Sequence, residues 1–327
     1  GRRFVLWFEA RRSRALPNTT TCCGLWNEEE ILMELKKVIG NRRSMRFLRP
    51  YKPVEKERIQ KMLEAARLAS HWGNVQAVHA VVIDRFIAPK EVLDALPVGT
   101  AIAGFQFRLA PVVIVWYIDY AAIKLQGKRL HELVDAGAIG VNQEKSHKYL
   151  DETLIPFFDG AEEAIRQGAI TELDAGQAIA QATLVAFEEG LGTCCLGLPA
   201  QKKMKRVLKL PADSKICVLQ TVGYPAEDAA AGGQRPRLPF EQLYGYNRAD
   251  IPFERDPKVV AELEAAGMIQ AAGPLAHRAA ELRWLSDQFG LSEVFGDENE
   301  VPQIMQSVME EMMEDQTPSG TGGGGGG

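Results

Sequence analysis

The chain has few of the residues that build metal frameworks. Of 327 residues, five are cysteine and five are histidine. Four cysteines stand in adjacent pairs, Cys22-Cys23 and Cys194-Cys195, and Cys217 stands alone. No Cys-x-x-Cys and no His-x-x-x-His occurs, so a zinc ribbon is not supported and no metal is expected. The odd number of thiols fits a reducing compartment such as the cytoplasm. Cys217 alternates within an apolar run and reads as a small buried hydrophobe. Long hydrophobic runs are also missing. The longest is Pro111 to Ile118, far short of the roughly 20 residues of a membrane span. Positive charge is not in excess either: 38 Lys and Arg face 43 Asp and Glu, a net charge of −5. That leaves no whole-protein footprint for nucleic acid. No Ser-His-Asp or Cys-His constellation stands out, and no Gly-x-Gly-x-x-Gly follows a strand.

The rest of the composition is ordinary for a globular chain, with 46% hydrophobic and 25% charged residues. The informative feature is arginine, concentrated in two places. The first is Asn41-Arg42-Arg43-Ser44-Met45-Arg46-Phe47, between two helical patterns. Three guanidinium groups so close repel one another, and an anion held bidentately by their planar forks offsets that repulsion. Ser44 adds a neutral hydroxyl. The alternative is a solvated basic loop. The second place is Gly233-Gln234-Arg235-Pro236-Arg237-Leu238-Pro239, after the strand-like run Ile216 to Val222. Prolines flanking Arg237 hold the backbone extended and present Arg235 and Arg237 at little ordering cost. Both displays suit one terminal phosphate.

Periodicity divides the chain. Residues 1–27 form a basic extension, read as flexible. Residues 28–250 form the main domain, 251–317 a helical extension, and 318–327 a Gly-rich flexible tail. Amphipathic helices are expected over Glu28 to Gly40 and Lys56 to Ala69. Strands are expected over Val78 to Asp84 and within Gly104 to Asp119, the second being the longest. Residues 121–168 read as a helical insertion, either a lid or a packing insert. A helix from Asp174, capped by that residue, to Gly190 carries a small-residue face of Ile179, Ala182, Thr183 and Ala186. Such a face suits a subunit interface or the inside of one core. Three helices follow, over Pro257 to Gly267, Leu275 to Phe289 and Pro302 to Met313.

Five segments in order resemble the FMN-dependent nitroreductase family. They are Arg42-Arg43-Ser44-x-Arg46-x-Phe, His71-Trp72-Gly73-Asn74-Val75-Gln76, Ala110-Pro111 before a core strand, Asp174-Ala175-Gly176 opening a helix that ends at Glu189-Gly190-Leu191-Gly192, and Gly223-Tyr224-Pro225 followed by Arg235-Pro236-Arg237. The resemblance spans about Glu28 to Asn247. It implies an α+β fold, a central and mostly antiparallel sheet flanked by helices, in an intertwined homodimer. It also implies bound FMN, NADH or NADPH as donor, and a nitroaromatic, quinone or similar small electrophilic acceptor reduced by a ping-pong mechanism. No nucleic acid or membrane partner is implied.

By the family pattern, Arg42, Ser44, Arg235 and Arg237 would hold the phosphate, and Arg43 would assist or form a surface pair. Arg46 would lie near the pyrimidine edge of the ring, and Gln106 near its carbonyl edge. Asn74 and Gln76 would come from the second subunit, and Leu196 and Gly197 would pass their backbone beside the ring. The chain departs from the family at Ser70-His71 and Ala77-Val78, where Pro-Ser and Pro-Trp are common. His71 therefore carries two readings: a proton donor near the flavin, or a polar residue at a helix end. Two other functions stay open: a specialised member such as a reductive dehalogenase or flavin-consuming enzyme, and a non-catalytic flavin-binding protein with a blocked ring face.

Overall fold

The computed structural model describes residues 28–97, 104–198 and 201–291, with isolated positions between 306 and 313. The basic extension 1–27, the tail 318–327 and most of the expected helix over 302–313 lie outside the described residues. Helix α1 (Glu28–Asn41) and helix α2 (Lys56–Arg67) flank the first arginine loop. Strand β1 (Val78–Asp84) follows, with the expected bounds. Helix α3 (Gly104–Leu109) leads into β2 (Val112–Asp119). The segment over 121–168 is helical, including α4 (Gln126–Asp135) and α5 (Gln143–Tyr149). Helix α6 (Ile170–Glu188), β3 (Gly192–Leu196) and β4 (Ser214–Gly223) complete the sheet region. Helices α7 (Pro257–Ala265) and α8 (Arg278–Phe289) form the C-terminal part.

The four strands pair antiparallel in the order β1-β2-β4-β3. β2 is central, and its residues are apolar at both parities because both faces are covered. Val112, Ile114 and Trp116 pack under α2 and α6, against Met62, Ala66, Ala178, Ala182 and Ala186. Val113 and Val115 face the other way, toward Met45, Leu48, Ile83 and Leu219. A buried polar ladder crosses the first layer. Trp116 Nε1 donates to Gln220 Oε1 at 2.8 Å, and Gln220 Nε2 donates to Thr183 Oγ1 at 2.9 Å.

Three expectations change and one open alternative is decided. The longest strand is β4, with ten residues, not β2, with eight. Of the two readings of the small-residue face of α6, the inside of one core is the one seen: it packs against α2, because alanines let the two helices approach closely. Helix α6 starts four residues before Asp174, so Asp174 does not cap it; its carboxylate accepts from Trp72 N at 2.9 Å. Cys217 is half-buried rather than buried. On α1, Leu35 and Ile39 are exposed within one chain, 51% and 40%.

The loop after α1 crosses the edge strand β3 at short range. Met45 N donates to Thr193 O at 2.9 Å, and Ser44 bridges Thr193. A methyl at Gly192 would lie 2.7 Å from the Met45 Cβ, so this crossing requires glycine there. α8 docks on the same region. Leu285 is fully buried beside Phe47 and Phe105, and the Phe289 ring lies 5.9 Å from Phe47.

Candidate functional site

The two arginine displays, nearly 200 residues apart in the chain, meet beside β3. Arg43 Nε donates to Gly233 O at 3.1 Å and so ties the loops directly. Burial, then the charges of Arg235, Arg42 and Arg237, lower the proton affinity of Arg43. Burial, then Arg46 and Arg278, lower that of Arg235, with Glu227 opposing. Both shifts report positive charge crowded into a partly desolvated place, the condition under which a phosphate is bound with gain.

The members of the cluster differ. Arg42 and Arg46 are half-buried, and Arg237 is exposed, its Nη1 donating only to Pro236 O among the described contacts. Arg235 is half-buried and donates to Ala231 O and Gly233 O. Ser44 faces the thiol of Cys194. Arg43 is only 5% exposed. Its Nη1 donates to Gly40 O at 2.6 Å and its Nη2 to Gln270 Oε1 at 2.8 Å. Of the two readings of Arg43, the surface pair does not hold: its fork is spent on Gly40 O, Gly233 O and Gln270 Oε1 inside the loop.

Sequence reasoning missed the support behind these residues. Glu227, 6% exposed, accepts from Arg46 N at 2.6 Å and Phe47 N at 3.1 Å with one oxygen. Its other oxygen accepts from Arg278 Nη2 at 2.7 Å, and Arg278 Nη1 donates to Glu281 at 2.8 Å. The only hint in the sequence was a lone acid pair, Glu227-Asp228, in a small-residue loop leading to Arg235.

The segment 71–76 lies at the opposite corner of the sheet. β1 and β3 are the two edges, about 14 Å apart at ordinary strand spacing. Asn74 and Gln76 precede Val78, which pairs with Ile118, whereas Thr193 pairs with Val222 and Val222 with Val112. The two groups are thus separated along the strands as well, by about 20 Å. One chain does not bring Asn74 and Gln76 to the arginines. Gly73, Asn74 and Gln76 all have positive φ, 52°, 53° and 57°. For the two non-glycine residues this is uncommon backbone, of the kind that clusters at functional sites.

His71 and Gln76 line a cavity of about 330 Å³ with Leu63, Val78, Trp116 and Ala178. The His71 Nδ1 is buried and has no partner among the described residues. Burial lowers the proton affinity of His71 and the nearby Asp174 carboxylate raises it. Burial raises that of Asp174, against the Trp72 N–H and His71. Gln106 is 2% exposed, and among the described residues its Oε1 has no partner. Leu196 packs partly on the core, and Gly197 is exposed with open space where a Cβ would stand.

Comparison with known proteins gives a consistent picture. The sequence model of the Nitroreductase family matches residues 39–142 and 149–224. Within the helical segment over 121–168 it leaves only 143–148 unmatched. An NADH dehydrogenase of Thermus thermophilus is 28% identical over 213 residues, covering 65% of this chain and 95% of the relative. Among solved structures, a Staphylococcus epidermidis protein described as an NAD(P)H:FMN oxidoreductase superposes with a TM-score of 0.53 at 16% identity, covering 65% of this chain and 95% of its own. An Exiguobacterium sibiricum protein described as a nitroreductase in complex with FMN gives 0.50 at 23% identity, covering 65% and 96%. These likenesses establish the fold. Among the described residues no helix is long and apolar enough to cross a membrane.

Proposed function

The chain belongs to the nitroreductase family, and from that premise we propose an NAD(P)H-dependent FMN oxidoreductase whose flavin site is shared between two copies of the chain. Bound FMN supplies the two-electron chemistry, taking electrons from NAD(P)H and passing them to a small electrophilic acceptor. The protein's task is to bind, orient and shield.

The observation that carries the reading is the crowding of Arg42, Arg46, Arg235 and Arg237 beside Ser44, with Glu227 as their carboxylate neighbour. We assign the terminal phosphate to Arg42, Ser44, Arg235 and Arg237. Arg46 is the cation next in line along the loop. Arg43 is withdrawn from the phosphate set, since its donors already serve Gly40, Gly233 and Gln270. The unpartnered Oε1 of Gln106 offers an acceptor from the sheet side. Leu196 and Gly197 leave an open backbone on the β3 edge.

Asn74 and Gln76, at the far corner of the sheet, reach such a site only from a second protomer. The exposed Leu35 and Ile39 of α1 support the same homodimer, because an apolar stripe open in one chain suits burial by another. The domain 28–250 is then the flavin-binding unit. The extension 251–317 acts through α8 as a buttress behind the arginine loops.

The acceptor is a nitroaromatic, a quinone or an activated alkene, reduced in a ping-pong cycle because one open ring face serves donor and acceptor in turn. The test is turnover. Purified protein mixed with NADH or NADPH without oxygen is expected to lose its visible flavin absorbance and regain it on adding an acceptor from a panel. Flavin absorbance unchanged by either donor would contradict the enzyme reading and favour a flavin-binding protein with a blocked face. Parallel double-reciprocal lines are expected in the steady state, and intersecting lines would contradict the ping-pong cycle.

A further inference from the structure

Away from the arginine site, two histidines of the helical segment face one another. His131 on α4 and His147 on α5 approach with Nδ1 to Nδ1 at 2.6 Å. Their rings are 4.8 Å apart and 16° from parallel. Each outer nitrogen meets a carboxylate, His131 Nε2 with Asp151 Oδ1 at 2.9 Å and His147 Nε2 with Asp135 Oδ1 at 2.9 Å. We propose that this pair is a binding site for a divalent transition metal ion, with zinc as the probe.

The argument counts hydrogens. A carboxylate oxygen accepts, so each Nε2 carries the ring hydrogen. In a neutral imidazole the other nitrogen is then a lone pair. Both lone pairs point into the same gap, and two acceptors at that distance need a cation between them. Asp135 and Asp151 already do what outer carboxylates do for metal-bound histidine: they fix the tautomer and hold the ring orientation. Zinc–imidazole bonds of about 2.0–2.1 Å at a tetrahedral angle place the two nitrogens about 3.3 Å apart. The gap must therefore open by less than about 1 Å. Both side chains are about one-third exposed, 29% and 31%, so a small rotation achieves this without moving the core.

Among the described residues no third histidine, cysteine or carboxylate converges there, so water completes the shell and the affinity is moderate. The sequence expectation of no metal rested on spacing along one helix. Here the ligands are 16 residues apart, on two helices folded against each other. The hairpin adjoins the 71–76 segment. A Cβ at Gly73 would meet Gln126 at 3.7 Å, and Trp72 packs edge-on against Phe158 at 5.8 Å. A bound metal would staple the wall of that half-site. The proposal does not depend on the flavin assignment.

The test uses the full untagged chain, flavin included as isolated, after chelator treatment. Zinc is titrated against a chromophoric competitor at neutral pH. The expected result is one zinc per chain, with binding weakened at least tenfold in His131→Ala and in His147→Ala and retained in His79→Ala. Asp151→Asn is expected to weaken binding by about ten- to a hundredfold. Wild-type binding no tighter than that of the double variant His131→Ala/His147→Ala would overturn the proposal and leave a pair that shares a proton only. Binding that persists in both single variants, for instance on cysteines, would also overturn it. Should the alanine variants lose their helical circular dichroism, nitrogen NMR of the wild type decides. Zinc must shift the Nδ1 resonances of two histidines, and a shift of none or of others contradicts the site.

Discussion

Replacing Glu227 by alanine is expected to cost about 3–5 kcal/mol of folding stability, the usual result of removing one partner of a buried ion pair. The glutamate side chain is 1% exposed and that of Arg278 is 11%. Three donors lose their acceptor at once: the backbone N–H groups of Arg46 and Phe47, and Arg278 Nη2. Among the described residues Arg278 would retain only Glu281 as counter-charge. Arg235 and Arg46 stand nearby, so the alanine variant also leaves a cluster of cations with no carboxylate between them. An exposed pair such as Lys90–Asp94, by contrast, is worth at most about 1 kcal/mol. The size of the effect therefore separates the buttress from ordinary surface pairing. Glu227→Gln should lose less, because an amide oxygen still accepts from the two backbone groups. Urea midpoints of the three proteins check this. A Glu227→Ala midpoint equal to wild type would mean that α8 does not hold the arginine loop.

Arg42→Ala and Arg237→Ala are each expected to weaken FMN binding by about ten- to a hundredfold, since a hydrogen bond to a charged group is worth about 1.5–3 kcal/mol. Folding should be little changed, because Arg237 is exposed and Arg42 half-buried. Arg43→Ala should behave in the opposite way. It leaves Gln270 Oε1 without its described donor and Gly40 O and Gly233 O with only Gln234 and Arg235, so the loss appears first in the urea midpoint. Flavin titration of each apo-variant, set beside its unfolding curve, measures both quantities. Wild-type FMN affinity in Arg42→Ala and Arg237→Ala would reduce those arginines to surface charges.

Much of the sheet and the two arginine clusters were legible because both are written locally. Val78 to Asp84 and Ile216 to Val222 carry β-branched and apolar runs bounded by turn residues, and they appear as β1 and most of β4. β3 was not foreseen as a strand. Gly192-Thr193-Cys194-Cys195-Leu196 is short and opens on glycine, and only its pairing with β4 makes it one. The crowding of the arginines followed from charge alone. Which arginine faces outward did not, because the carbonyls that capture Arg43 come from residues some 190 and 230 positions away as well as from its own turn. Asp174 looked like a helix cap by position. It serves the Trp72 turn instead, since the chain before it continues the helix back to Ile170. Glu227, Arg278 and the His131–His147 pair were invisible for the same reason: each is defined by a partner that only the fold supplies.

The central claim is that one flavin site needs the arginine corner of one chain and the Asn74–Gln76 corner of another. Subunit exchange tests it most directly. The double variant Arg42→Ala/Arg237→Ala and the double variant Asn74→Ala/Gln76→Ala are each expected to have low NAD(P)H oxidation activity. Mixed in equal amounts and exchanged, half the dimers should pair one chain of each kind. Each such dimer has one site bearing both lesions and one bearing neither, so activity should rise to about a quarter of wild type in a two-fold dimer. Activity that stays at the level of the separate variants, with exchange proven by labelled subunits, would contradict the shared site and show that each chain builds its own.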